Sequence, residues 1–383
     1  MIEPPLPFGD AAARWFYVLL KGLKERGHKV VSFVSYGCDE DIEKTRKYFP
    51  ELEYEIYFYH YSNMRGLRKI IERVFSYRNF SEEFRAHLSQ VKASGYDVLH
   101  LEQLWSAWVG LDAPHKSVVN VHHLESIDLE FVKTNGLKDF IKRKVLFKTE
   151  KRLIKKMTYI RSNSPRLVEP MQRWNPKSLI KVIPVGIDSS FYEFIPDKKR
   201  TNSKTLSMIG TLSWYPSQSA ALRLINRLWP KIKERVPDAR LQIVGWSARS
   251  VLKDYLDLVD VEILENVPEI QPYFENANVF LYAPARGSGM KIKILEAMGW
   301  GIPIVTTSEG SEGLPAQDQV HMGICEDDDG LIERAVKALN SVDVQNSWRH
   351  AARILLEQHC GPNPTVDAME EVYSQIVKAN DGI

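Results

Sequence analysis

Apolar positions follow two alternating periods along this chain. Ala12, Trp15, Phe16, Leu19, Leu20 and Leu23 recur at the three- and four-residue steps of one helix face. Gly27 stops that helix, and the apolar run VVSFVS (30–35) reads as a buried strand. The same alternation continues through EYEIYFY (53–59), a helical region from about Met64 to Lys92, DVLHLEQ (97–103), SVVNVHH (117–123), a basic helix ending near Met157, YIRSNS (159–164) and LIKVIPV (179–185). After Pro184 it starts afresh. A polar, Lys-rich segment (197–204) leads into LSMIGTLSWYP (206–216), a helix over 219–236, RLQIVGW (240–246), VEILENV (261–267), the segment PEIQPYF, VFLYAP (279–284), a glycine-rich turn with its own helix, and IPIVTT (302–307). A last amphipathic helix, Pro364 to Lys378, carries Val366, Met369, Val372, Tyr373 and Ile376 on one face. Strands alternating with helices predict an α/β fold of doubly wound parallel sheets covered on both faces.

The restart predicts two Rossmann-like domains, 1–184 and 185–360, with 361–383 a C-terminal helix free to cross back to the first. Ligands of such sheets bind at the carboxyl ends of the strands, and a cleft between the domains is the expected site. MIE runs directly into the turn PPLPFGD, so the first strand of the opening domain reads as truncated. Hydrophobic residues at 44% and charged residues at 26% exclude a disordered or fibrous chain. A net charge of +2 says little as a total, and no nucleic-acid partner is expected. Cys38, Cys325 and Cys360 lack C-x-x-C spacing, which argues against a disulfide framework or zinc site. With no membrane-length apolar run and no signal segment, the chain is expected to be cytoplasmic.

The candidate chemistry is concentrated at 285–307, where VFLYAP meets Gly287, Ser288, Gly289 and Met290 before a helix carrying Lys291, Lys293 and Glu296. Backbone N–H groups at a helix start attract anions, and glycine lets a ligand approach closely, so the turn suits a diphosphate. Lys291 opposes the helix dipole and calls for a negative partner there. Lys293 points elsewhere and reads as a solvated charge. Glu296, about a turn further on, suits ribose hydroxyls, against the plainer reading of an exposed helical carboxylate.

A second constellation is VVNVHHLES (118–126), an apolar strand ending in His122 and His123 with Glu125 beyond. Neighbouring strand residues face opposite ways, so only one histidine is expected to work at the site. Either a proton-handling or a satisfied core histidine fits the residues alone. Phe8, Gly9 and Asp10 form a turn in which Asp10 caps a helix and Gly9 gives a substrate access to the backbone. Lys138 to Lys156 holds nine Lys or Arg against Asp139 and Glu150, which suits either a solvated face or peripheral contact with the inner face of an anionic membrane. No metal-ligand spacing, G-x-S-x-G elbow or Walker motif occurs, and the acidic run Glu326 to Asp329 reads as solvated loop.

Together these blocks, with VIPVGID (182–188), GTLSWYPSQSAAL (210–222) and ARLQIVG (239–245), resemble glycosyltransferase family 4 over most of the chain. The resemblance implies a GT-B fold of two facing domains, with acceptor binding in the first and nucleotide-sugar binding in the second. It further implies retaining, metal-independent transfer of a hexosyl unit from a nucleoside diphosphate sugar to a glycan, lipid-linked or small-molecule hydroxyl, by a front-face route and with no cofactor. Residue by residue, it places His122 against the transferred sugar, with Glu125 and Ser126 matching related members, and Val267 at the nucleoside base. The family's paired glutamates fall on Ser288 and Glu296. With the first replaced, amides of Gly287 to Met290 are expected to hold the sugar, and Lys291 the diphosphate. The loop 210–217 lacks the arginine and lysine that many members carry there. Two alternatives remain open: a nucleotide-sugar epimerase of the same architecture, and a non-catalytic subunit that binds nucleotide sugar.

Overall fold

The computed structural model describes residues 4–50, 54–61, 80–130, 132–134, 136–197, 203–285 and 287–381. They divide into two compact units, Met1–Asp188 with Gly361–Ile383, and Ser189–Cys360. The first boundary thus falls four residues beyond the one read from the sequence, and physical ties explain it. Arg161 donates to the Pro184 carbonyl at 2.8 Å, and Lys21 pairs with Asp188 at 3.3 Å. A Cβ on Gly186 would lie 2.4 Å from Thr365 Oγ1, so this segment is packed into the first unit.

The first unit opens with α1 (Ala11–Glu25), capped by Asp10, whose side chain accepts from the Ala13 amide at 2.9 Å. Next come β1 (Val31–Tyr36), α2 (Glu40–Tyr48), β2 (Glu55–His60) and α3 (Glu82–Ala93). Most of the helical region expected from Met64 lies outside the described residues. Then follow β3 (Leu99–Leu101), β4 (Ser117–Val121), the one-turn α4 (Glu125–Asp128), α5 (Gly136–Ile154), β5 (Tyr159–Ser162), α6 (Val168–Trp174) and β6 (Leu179–Val182). Among the described residues the strands form two parallel sheets, β1-β2 and β3-β4-β5-β6. Every residue of β4 and β5 is buried, the polar Asn120 and Arg161 included, as strands covered on both faces are, whereas the edge strand β6 alternates.

The second unit holds one parallel sheet, ordered β12-β11-β10-β7-β8-β9. Its elements are β7 (Thr205–Ile209), α7 (Tyr215–Arg223), α8 (Trp229–Arg235), β8 (Arg240–Gly245), α9 (Ala248–Val251), β9 (Val261–Glu265), α10 (Gln271–Glu275), β10 (Val279–Tyr282), α11 (Ile292–Trp300), β11 (Ile304–Thr306), β12 (Gly323–Ile324), α12 (Asp328–Asn340) and α13 (Val342–Cys360). A π-helical turn, Leu224–Leu228, joins α7 to α8. Pro230 follows it, and the wider turn accommodates a residue that lacks an N–H and crowds the preceding carbonyls. The acidic run read as loop instead starts α12: Asp327 accepts from the Gly330 amide, and Asp328 pairs with Arg223 and Arg227.

The chain closes with α14 (Pro362–Asp381), which belongs to the first unit. Val366, Met369, Val372 and Ile376 are buried, as their spacing predicts. Gly22 of α1 lets α14 approach, since a Cβ there would lie 2.4 Å from Val366 Cγ2.

Candidate functional site

Because the second sheet is parallel, the loops after β10, β7, β8 and β9 all leave its carboxyl edge. Gly287 to Met290 occupy the first of these loops, and Gly289 takes a φ of 73°, a conformation that favours glycine. Ser288, Met290 and Lys291 are buried. Lys291 Nζ donates to the Gly289 carbonyl at 2.6 Å and lies 3.2 Å from Glu309 and 3.5 Å from Glu312, both buried. Glu309 also accepts from the Gly287 amide at 3.0 Å. The negative partner that Lys291 calls for is therefore supplied by the protein itself, and this ion cluster fixes the turn.

Glu296 is buried on α11 at 7% exposure, which removes the reading of an exposed helical carboxylate. Val267 is half-buried just beyond β9, after Asn266 at a φ of 55°. Three inter-strand spacings separate β10 from β9, roughly 14 Å.

The solvated-charge reading of Lys293 is corrected. Its side chain is half-buried, donates to Ser217 Oγ at 2.6 Å, and sits 4.4 Å from the centre of the Tyr282 ring. Loss of hydration pulls its pKa down to about 7, with Glu296 opposing the shift and Lys291 adding to it. Helical spacing gave the direction of this side chain from its own helix but not the loop that covers it.

In the first unit, β4 delivers His122 to a buried carboxylate. His122 Nε2 lies 2.5 Å from Glu102, just past β3, and Asn120 donates to Glu102 at 2.7 Å. His100 Nε2 approaches Glu102 at 3.3 Å, and its Nδ1 lies 2.7 Å from the Tyr373 hydroxyl of α14. Burial alone would raise the Glu102 pKa, but His122 and His100 hold it well below the ordinary carboxylate range. An anionic Glu102 only accepts, so the network assigns the proton of His122 to Nε2. Burial lowers the His122 pKa against the pull of Glu102, which leaves a neutral ring with a bare Nδ1. That Nδ1 is buried and has no hydrogen-bond partner among the described residues.

A small pocket beside His122 is lined by Gln103, Leu104, Trp105, His122, His123 and Glu150. Gln103 takes a φ of 66°, a strained conformation for a residue with a side chain. Glu150 of α5 accepts from the amides of Glu125 and Ser126 at 2.7 and 3.0 Å, and burial raises its pKa to about 7. Glu125 thus serves this network through its backbone. The Trp15 ring stands 6.5 Å from His122, and Asp10 is near enough to influence its charge, so the opening turn and the end of β4 share one region. Phe8 in that turn is exposed, and Gly9 takes a φ of 104° while its carbonyl accepts from Arg14. Sequence reasoning missed Glu102, Glu150 and Tyr373; the only local signal was a charged residue directly after the apolar run of β3.

On α5, Leu137, Phe140 and Ile141 are exposed, with Lys144 over the Phe140 ring at 4.4 Å. Among the described residues no helix is long and apolar enough to cross a membrane.

The family model described as Glycosyltransferase Family 4 matches residues 12–191, and that described as Glycosyl transferases group 1 matches 203–341. A 44.6 kDa protein of the Klebsiella pneumoniae cps region, itself uncharacterized, is 22% identical over 344 residues, 81% of this chain and 82% of that one. HepE of Anabaena, solved with UDP-glucose, superposes with a TM-score of 0.68 at 14% identity over 97% of this chain and 98% of that one. The sucrose-phosphate synthase of Thermosynechococcus elongatus gives 0.68 at 16% identity over 95% and 93%. Both structures share the GT-B architecture of paired α/β units. With the two matches together spanning both units, the chain belongs to glycosyltransferase family 4.

Proposed function

We propose that this glycosyltransferase moves a hexosyl unit from a nucleoside diphosphate sugar to the hydroxyl of a glycan, lipid-linked or small-molecule acceptor, with retention of anomeric configuration and without a metal ion. The buried, partnerless Nδ1 of His122 is the observation that carries the reading. A desolvated acceptor atom without a donor is costly, on the order of 1–3 kcal/mol, and a sugar hydroxyl supplies the missing hydrogen bond. Glu102 fixes the tautomer that makes Nδ1 an acceptor. HepE, solved with UDP-glucose, supports a nucleotide sugar as the donor class.

In this reading Glu296 takes ribose hydroxyls, and the roughly 14 Å from β10 to β9 matches an extended nucleoside diphosphate reaching from the glycine turn to a base near Val267. Amides of Ser288 to Met290 face the sugar or diphosphate, while Gly287 and Lys291 shape the turn. Peripheral contact with anionic lipid is assigned to Leu137, Phe140 and Ile141 among the lysines of α5. Co-sedimentation with anionic vesicles checks that assignment, and unchanged binding after all three are replaced by Ser would remove it.

The test of the main reading is incubation with UDP-, GDP-, ADP- and TDP-sugars plus candidate acceptors, followed by NMR of the anomeric centre. Transfer with retention, unaffected by EDTA and abolished in His122→Ala, is expected. An isomerised nucleotide sugar formed without acceptor would indicate an epimerase, and nucleotide binding without turnover a binding subunit; inversion would sink the stereochemical assignment.

A further inference from the structure

A donor diphosphate brings at least two negative charges into a partly desolvated site, where electrostatic help aimed at the leaving group is worth most. Lys291 is poorly placed to supply it, because Glu309 and Glu312 already hold its ammonium. Lys293 differs. Among the described residues it has no carboxylate within ion-pairing distance; its contacts are the Ser217 hydroxyl and the Tyr282 ring.

Its ammonium is delivered to a defined place. A Cβ built on Gly210 would lie 2.6 Å from Lys293 Nζ, so the absence of a side chain at Gly210 makes room for the charge. Gly245 in turn lets the Gly210 loop settle, since a Cβ there would lie 1.7 Å from the Gly210 carbonyl oxygen. The ammonium therefore occupies the loop after β7, beside the first turns of α7 and α11, whose dipoles present positive ends. Lys291 adds repulsion, Tyr282 contributes only a neutral ring, and Glu296, one turn along α11, offsets part of the cost. A cation kept at two helix starts without a counter-ion marks a place built to receive an anion.

We propose that Lys293, threaded past Gly210 and steadied by Ser217 and Tyr282, is the residue that neutralises the donor diphosphate, standing in for the arginine and lysine absent from loop 210–217. Lys291 then has a structural task, clamping the turn through Glu309. This rests on the nucleotide-sugar reading, and the two fail differently.

The experiment is calorimetric titration of wild type, Lys293→Gln, Lys293→Arg, Gly210→Ala and Lys291→Gln with uridine, UMP, UDP, GDP, ADP and TDP, with folding checked by circular dichroism. Lys293→Gln is expected to weaken the preferred nucleoside diphosphate about tenfold to a hundredfold, the worth of a hydrogen bond to a charged group, with the free nucleoside unchanged. Gly210→Ala, which pushes on the ammonium, is expected to show the same selective loss, and Lys293→Arg a partial recovery. At pH 8, titration in buffers of different ionisation enthalpy is expected to show proton uptake by wild type and none by Lys293→Arg, because arginine is already charged. A folded Lys293→Gln that binds the diphosphate within threefold of wild type overturns the proposal, as does selective loss confined to Lys291→Gln. A wild type that binds no nucleoside diphosphate overturns the parent reading instead.

Discussion

Glu150 titrates in the range where this protein would be handled. Burial lifts its pKa from 4.5 to about 7 in the folded state, so the folded chain binds a proton that the unfolded chain has released. The associated stability is complete below pH 4.5 and is lost as pH rises to about 7, a change of roughly 3 kcal/mol. Glu150→Gln is expected to flatten the stability profile between those limits, measured by urea unfolding at fixed pH steps. Parallel profiles for the two proteins would show that the carboxyl does not titrate this way. At this scale the sequence announced His122 and Asp10, because a histidine at the end of an apolar strand and an aspartate before a helix carry their meaning locally. Glu102 and Tyr373 carry theirs mainly through partners on other elements, His122 lying 20 residues from Glu102 and His100 lying 273 residues from Tyr373. Lys293 was misread for the same reason, since the loop that covers it lies about 80 residues earlier in the chain.

Between elements, α1 is held close against α14. Gly22→Ala gains about 1 kcal/mol in helix propensity but places a methyl 2.4 Å from Val366 Cγ2, and overpacking of this kind costs about 1–3 kcal/mol. Net destabilisation is expected, reversed when Val366→Ala is added, so a double-mutant cycle should give a favourable coupling. A stabilised single variant would mean that the two helices part easily. Strands with unbroken apolar runs were legible from the sequence because parallel strands bury both faces. β12, only two residues long, and α12 and α13 were passed over. The acidic start of α12 imitates a loop until Asp327 is seen capping the helix and Asp328 meeting Arg223 and Arg227. The helix expected from residue 219 begins four residues earlier at Tyr215, with Pro216 in its first turn, where a missing N–H costs nothing.

For the molecule as a whole, the restart of the pattern after Pro184 was enough to divide the chain in two. The destination of the last helix was not, because amphipathic spacing specifies a face and leaves its partner open. A chain ending at Cys360 uncovers α1 and takes Tyr373 from His100. Its first unit is expected to melt at lower temperature while the second keeps its transition, giving two resolved calorimetric peaks. Coincident lowering of both would contradict the separate cores.

The placement of α14 also sets the order of events during synthesis. Domains generally assemble from the N-terminal side as the chain emerges, yet this first unit waits for a helix that is made only after the whole of the second unit. His100, Glu102 and His122 are in hand early, but the tyrosine that completes their chain of hydrogen bonds comes only with the final helix. A chain stalled or clipped before α14 therefore lacks the Tyr373 contact to His100 and with it a finished histidine network.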